Sequence, residues 1–157
     1  MMKEKKFIAE RISKTADITI NGSIEEVFPL FGVFDERKWA KGWDPQLVYP
    51  DKEIMEEGVI FTTRSHNHEE QEYQWIVSTF NPGLYNVQYL VSTPNRYWTI
   101  TVQCRDLDKV QTVASITYSF TSLNEKGKQL NKGSLERMYK ENLGDWEEAI
   151  NHYLANR

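Results

Sequence analysis

Residues 97–122, YWTITVQCRDLDKVQTVASITYSFTS, decide the fold. Trp98, Ile100, Val102 and Cys104 alternate with Thr99, Thr101 and Gln103. After the polar break Asp106–Lys109, Ala114, Ile116, Tyr118 and Phe120 alternate with Val113, Ser115, Thr117 and Ser119. A period of two held this long marks strands with one buried face. Strands joined by so short a turn are antiparallel neighbours.

The pattern extends towards the N-terminus. Residues 84–92 place Tyr85, Val87, Tyr89 and Val91 on one face, and the NPG turn at 81–83 separates them from a strand at 71–80. Residues 58–65 and 47–49 read as two more strands. Residues 7–20 end in a further alternation, with Ala16, Ile18 and Ile20 inward. Between the first strand and the rest, Ser23 is placed to cap a short helix, and Glu25 and Glu26 suit its first turn. Pro29 keeps that helix short or kinks it. A second short helix, from Phe34 to about residue 40, carries Trp39.

Towards the C-terminus the period changes. Leu135, Met138, Tyr139, Leu143, Trp146, Ala149, Ile150, Tyr153 and Leu154 fall three or four apart. This spacing predicts one apolar stripe on a helix of about twenty residues or more, with Gly144 a weak point inside it. The order is strand, two short helices, about six antiparallel strands, long helix. That is an α+β fold in which a curved antiparallel sheet of about six to seven strands wraps around the C-terminal helix. No linker or repeat divides the chain, so residues 1–157 are expected to form one domain.

Composition narrows the function. The net charge is −4 and no basic stripe exists to hold a phosphate backbone, which argues against nucleic acid. The lone Cys104 leaves no internal disulfide to form and fits a reducing compartment. No apolar run approaches the ~20 residues that cross a bilayer, and MMKEKKFIAE lacks a hydrophobic signal core. A cytoplasmic protein without integral membrane association is expected. Aromatic residues make up 13%, enough for a thick core or for the walls of a pocket.

The element order resembles the SRPBCC superfamily, the START-like and polyketide cyclase/dehydrase-like proteins of helix-grip fold. VFPLFGVFDERKWAKGWDPQLVYP (27–50) followed by GVIFTT (58–63) carries most of the likeness, and WIVSTFNP (75–82) and ITYSFTSLNEKG (116–127) add to it. The stretch looks like a branch of largely uncharacterised bacterial and archaeal members. The resemblance implies an elongated cavity between sheet and C-terminal helix that takes apolar or amphipathic small molecules. Some branches add catalysis and others activate chaperones.

On strand parity, the cavity-facing candidates are Phe61, Trp75, Val77, Tyr85, Tyr89, Trp98, Ile100, Tyr118 and Phe120 from the sheet, with Met138, Tyr139 and Trp146 from the helix. The same set would also serve as a filled aromatic core. Trp39 and Trp43 either line the cavity mouth or pack beneath the short helices as a staple. Acid–base chemistry has only weak candidates in Arg64, Tyr73 and Tyr89. HNHEE (66–70) reads as a solvated turn, since a metal needs three or four converging ligands; no metal or cofactor is expected. Asp35, Glu36 and Arg37 read as a solvated face, His152 as a surface residue and Cys104 as an apolar filler. The expected function is the carriage, sensing or sequestration of a small apolar or amphipathic molecule. A cyclase- or dehydratase-like enzyme using the same cavity and a protein-interaction or chaperone-cofactor module are the alternatives.

Overall fold

The computed structural model describes residues 6–65, 69–140 and 142–157. Seven strands form one antiparallel sheet: β1 (Arg11–Ile20), β2 (Gln46–Tyr49), β3 (Ile60–Arg64), β4 (Glu72–Asn81), β5 (Asn86–Ser92), β6 (Arg96–Asp108) and β7 (Gln111–Ser122), in the spatial order β1-β7-β6-β5-β4-β3-β2. The hairpin at 97–122 is β6–β7, in register Trp98↔Phe120, Ile100↔Tyr118 and Cys104↔Ala114. Its inward row is buried from Trp98 to Cys104 and from Ala114 to Phe120. The opposite face is wet. There the Ser13 hydroxyl donates to Ser119 (2.8 Å), and the Thr15 and Thr117 hydroxyls pair at 2.7 Å. Register shifts in β4 (Val77/Thr79) and β6 (Asp106/Asp108) help bend the sheet.

β1 and β2 lie at opposite edges, so the chain between them must cross the sheet. It does so as α1 (Ile24–Val27) and two 3-10 turns, Phe28–Phe31 and Asp35–Lys38. The Ser23 hydroxyl accepts from the Glu26 amide, and Pro29 sits at the start of the first 3-10 turn, where no amide is needed. This crossing brings Trp39 and Trp43 over the inward face.

The C-terminal helix departs from the single long rod expected. It is two helices, α2 (Glu125–Tyr139) and α3 (Gly144–Asn156). Asn142 and Leu143 between them have left-handed backbones, φ 50° and 59°. Leu143 stays 2% exposed, and its carbonyl accepts the first bonds of α3, from Trp146 and Glu147. The apolar stripe runs through the break because three-to-four spacing records which side faces the core, not whether the axis turns. α2 lies over β7, β1 and β6, and α3 over β1. At the start of α2 only glycine fits at 127: a Cβ there would stand 1.9 Å from the Asn95 carbonyl oxygen.

Two further expectations are corrected. Tyr85 does not continue the inward row of β5. It adopts a left-handed conformation (φ 54°) just before the strand, packs edge-on against Phe28, and its hydroxyl donates to Glu25 at 3.4 Å. Glu70 is not a solvated turn residue but is buried against Arg96. His66 and His68 lie outside the described residues. His152 is exposed on α3 and Cys104 buried in the inward row, where burial pushes its thiol up to about 12.

Candidate functional site

The site begins with three aromatic donors and one short stretch of backbone. The Trp39 indole donates to the Leu30 carbonyl (2.7 Å), Trp43 to the Val33 carbonyl (2.7 Å), and the Tyr89 hydroxyl to the Phe31 carbonyl. Tight turns leave such carbonyls short of backbone partners. The two tryptophans are therefore the staple. Their rings also face inward: Trp43 meets Trp75 and Phe61 edge-on at 5.4 and 6.0 Å, and Trp39 meets Trp146 at 5.5 Å. The staple and the wall are the same residues, because the N–H edge and the ring face of an indole act independently.

Beneath them is a chamber of about 220 Å³, lined by Phe31, Glu36, Trp39, Ala40, Trp43, Trp75, Tyr89, Ile100, Val102, Tyr118 and Trp146. A second chamber of about 260 Å³ lies towards α2, lined by Tyr73, Trp98, Phe120, Met138, Arg96, Ser134 and Arg137. Trp75, Ile100 and Tyr118 wall both. Of the cavity candidates read from the sequence, Trp39, Trp43, Trp75, Tyr89, Ile100, Tyr118 and Trp146 meet in the first chamber, and Trp98, Phe120 and Met138 in the second. Phe61 and Val77 stand one layer back, fully buried, with Phe61 stacked on Trp75 at 5.2 Å. Tyr139 is also behind the wall. Its hydroxyl is spent on the Lys14 carbonyl (2.6 Å) and its ring meets Tyr118 edge-on.

The weak acid–base candidates separate. Arg64 is exposed at the end of β3, opposite Glu72, and reaches neither chamber. Tyr73 lines the second chamber, and the Ser65 hydroxyl donates to its oxygen at 3.0 Å. Tyr89 lines the first, with its proton committed to Phe31.

The residue that sequence reading missed is Glu36. Its neighbours behave as a solvated face: Arg37 pairs with Glu53 at 2.7 Å and Lys38 with Asp35 at 3.3 Å. Glu36 instead turns into the first chamber. Among the described residues no hydrogen bond or ion pair reaches its carboxyl, and burial holds it well above the usual carboxylate range. Burial, and then the charge of Glu36, pushes the Tyr89 and Tyr118 hydroxyls well above theirs. The Tyr118 hydroxyl also has no hydrogen-bond partner among the described residues, although the residue is 3% exposed. Of the Asp35–Lys38 turn Glu36 alone lines the chamber, and four residues carry no periodic signal for which one will do so.

The second chamber is built differently. Arg96, 1% exposed, donates through Nε and Nη2 to one Glu70 oxygen (3.1 and 2.7 Å) and through Nη1 to Ser134 and Asn131. Its guanidinium lies 4.8 Å from the Trp98 ring centre. This network ties β6 to α2 and leaves the arginine no spare charge. Among the described residues no three His, Cys, Asp or Glu side chains stand together as a metal site, and no helix is long and apolar enough to cross a membrane.

No family model matches the chain, and no curated protein does. Solved structures do. Norcoclaurine synthase from Thalictrum flavum, in complex with dopamine and hydroxybenzaldehyde, superposes with a TM-score of 0.70 over 100% of this chain and 96% of its own, at 8% identity. Ara h 8.0201 gives 0.66 over 94% and 100%, at 10% identity. The Mll3558 protein from Rhizobium loti gives 0.62 over 91% and 99%, at 14% identity. At these identities the likeness speaks to architecture: the chain has the Bet v 1-like helix-grip fold.

Proposed function

We propose that this protein binds a small, largely apolar molecule in the space between its sheet and its C-terminal helices. The observation that carries the reading is the aromatic first chamber. Three of its rings, Trp39, Trp43 and Tyr89, are pinned by hydrogen bonds to backbone, so that part of the wall is held in place without a ligand to prop it. Binding would then draw on removal of apolar surface from water, roughly 25 cal/mol per Å², with little ordering of the walls to offset it. A neighbour of the same fold has been seen with small molecules, dopamine and hydroxybenzaldehyde.

The test is a melting series followed by circular dichroism with indole and naphthalene. Both are expected to raise the melting temperature, by about 2–4 °C per 1 kcal/mol of linkage. Ala40→Trp, which fills the first chamber from the short helices, should abolish the rise while the variant still folds. No rise in the wild type, or an equal rise in the filled variant, removes the reading.

A second reading has one observation in its favour. A carboxyl held above its usual range, sharing a chamber with a tyrosine hydroxyl that has no partner among the described residues, is an arrangement for moving protons. An enzyme of this design would take a proton from the carbon next to a carbonyl with Glu36, while Tyr118 donates a hydrogen bond to the oxygen. Exchange of the methyl protons of acetophenone in heavy water, faster than in buffer and lost in Glu36→Gln, is its expected signature. Exchange no faster than in buffer rules this reading out.

A further inference from the structure

Resting on the cavity reading, we infer that the first chamber is selective for an organic ammonium: a cationic head held by the Glu36 carboxylate and by the faces of the surrounding indoles, on an apolar body. Four indoles, Trp39, Trp43, Trp75 and Trp146, wall this one space. Indole faces carry the most negative quadrupole among side chains and attract a cation at close range, most strongly where water is excluded.

Among the described residues Glu36 is the one charged side chain in the lining, with no lysine or arginine in it, and the acidic Asp35 and Asp145 add to the negative field felt at Tyr89 and Tyr118. Arg137, and Arg96 already paired with Glu70, line the second chamber, so the charge of Arg137 sets the direction of the guest: cationic end at Glu36, remainder towards α2. An unpaired carboxyl in such a place is unfavourable in the empty protein. A ligand cation supplies the missing partner. For an ammonium that carries N–H groups, the Tyr118 oxygen is a further acceptor, and its hydroxyl has no hydrogen bond among the described residues. An anionic guest, or a neutral one with no N–H or O–H to donate, would leave the carboxyl as poorly placed as before.

The experiment compares two molecules of one shape. Benzyltrimethylammonium and neopentylbenzene differ by a single nitrogen-for-carbon exchange and one charge. Each is titrated into the full chain at neutral pH, following tryptophan emission and the shift in melting temperature. The cation is expected to bind about tenfold or more tightly than its neutral isostere. Glu36→Gln should lower the affinity for the cation by about tenfold and change that for neopentylbenzene by less than about threefold. Equal or tighter binding of neopentylbenzene to the wild type overturns the ammonium assignment and leaves the apolar cavity standing, whether or not the variant folds. A wild-type preference that survives unchanged in Glu36→Gln overturns the role of the carboxylate. Binding of neither molecule overturns the assignment and the cavity reading together.

Discussion

Glu70 is a buried carboxylate and Glu36 a half-buried one that faces the first chamber, and their surroundings treat them in opposite ways. Glu70 receives two N–H donors from Arg96, whose third arm is taken by Ser134 and Asn131 on α2. Glu36 faces aromatic rings with no protein donor to its carboxyl among the described residues. Burial of a charge is unfavourable unless it is paired and hydrogen-bonded. Where the protein supplies the partner, the pair is a strut between sheet and helix. Where it does not, the carboxylate has chemistry left over. The same residue type is architecture in one region and a candidate recognition group in the other, and the difference lies in what stands opposite.

That contrast can be broken from the paired side first. Arg96→Ala removes the buried guanidinium that pairs with Glu70 and should lower stability by about 3–5 kcal/mol, read as a fall in the urea midpoint. The double variant Arg96→Met, Glu70→Leu should recover most of that loss, since a well-packed apolar pair replaces a buried ion pair at small net change. A single variant as stable as wild type would show that the pair is not the strut described.

The roof comes next. Trp39→Phe and Trp43→Phe each keep a ring but orphan a carbonyl, at Leu30 or Val33. Each is expected to lower stability by about 1–3 kcal/mol in the same urea experiment. A loss confined to ligand affinity, with unchanged midpoint, would separate wall from staple after all.

Glu36→Gln sharpens the contrast because its sign is reversed. Burial places the folded-state pKa of Glu36 above its ordinary value of 4.5. Between 4.5 and the higher folded value, the native protein keeps a proton that the unfolded chain releases. Stability from this group is therefore intact below the lower value and falls as pH rises through the upper one. The glutamine has no such slope. The variant should melt above wild type at neutral pH, and the gap should close as the pH falls towards 4.5. A gap that stays constant with pH, or a variant that melts lower, would mean the carboxyl has a partner after all.

The smallest effect is expected at Tyr118→Phe. The hydroxyl makes no hydrogen bond among the described residues, so its removal should change stability by less than about 0.5 kcal/mol, measured by urea unfolding. A larger loss would show it to be structural and would weaken its place beside Glu36.

Much of the site was legible through parity. Trp75, Tyr89, Trp98, Ile100, Tyr118 and Phe120 face inward because a strand alternates, and alternation survives in the sequence. Tyr85 escaped that logic where one left-handed residue resets the phase before β5. Glu36 and the Arg96–Glu70 pair were not legible. Glu36 sits in a 3-10 turn of four residues, too short to carry a period, and reads like its solvated neighbours. Arg96 and Glu70 are 26 residues apart, at strand ends that meet only when β4, β5 and β6 are in register.

The order of strands and helices, the inward face of each strand and the apolar stripe of the C-terminal segment can be read from residue order alone. These follow from local periodicity, which each stretch of chain carries on its own. That the C-terminal stripe turns at Leu143, that the two tryptophans hang from the backbone of the crossing segment, and which carboxylate is paired emerge only once the chain is folded. Those outcomes depend on what faces each group across the fold. A hydrogen-bond partner is fixed by position in space, and no spacing along the chain records it.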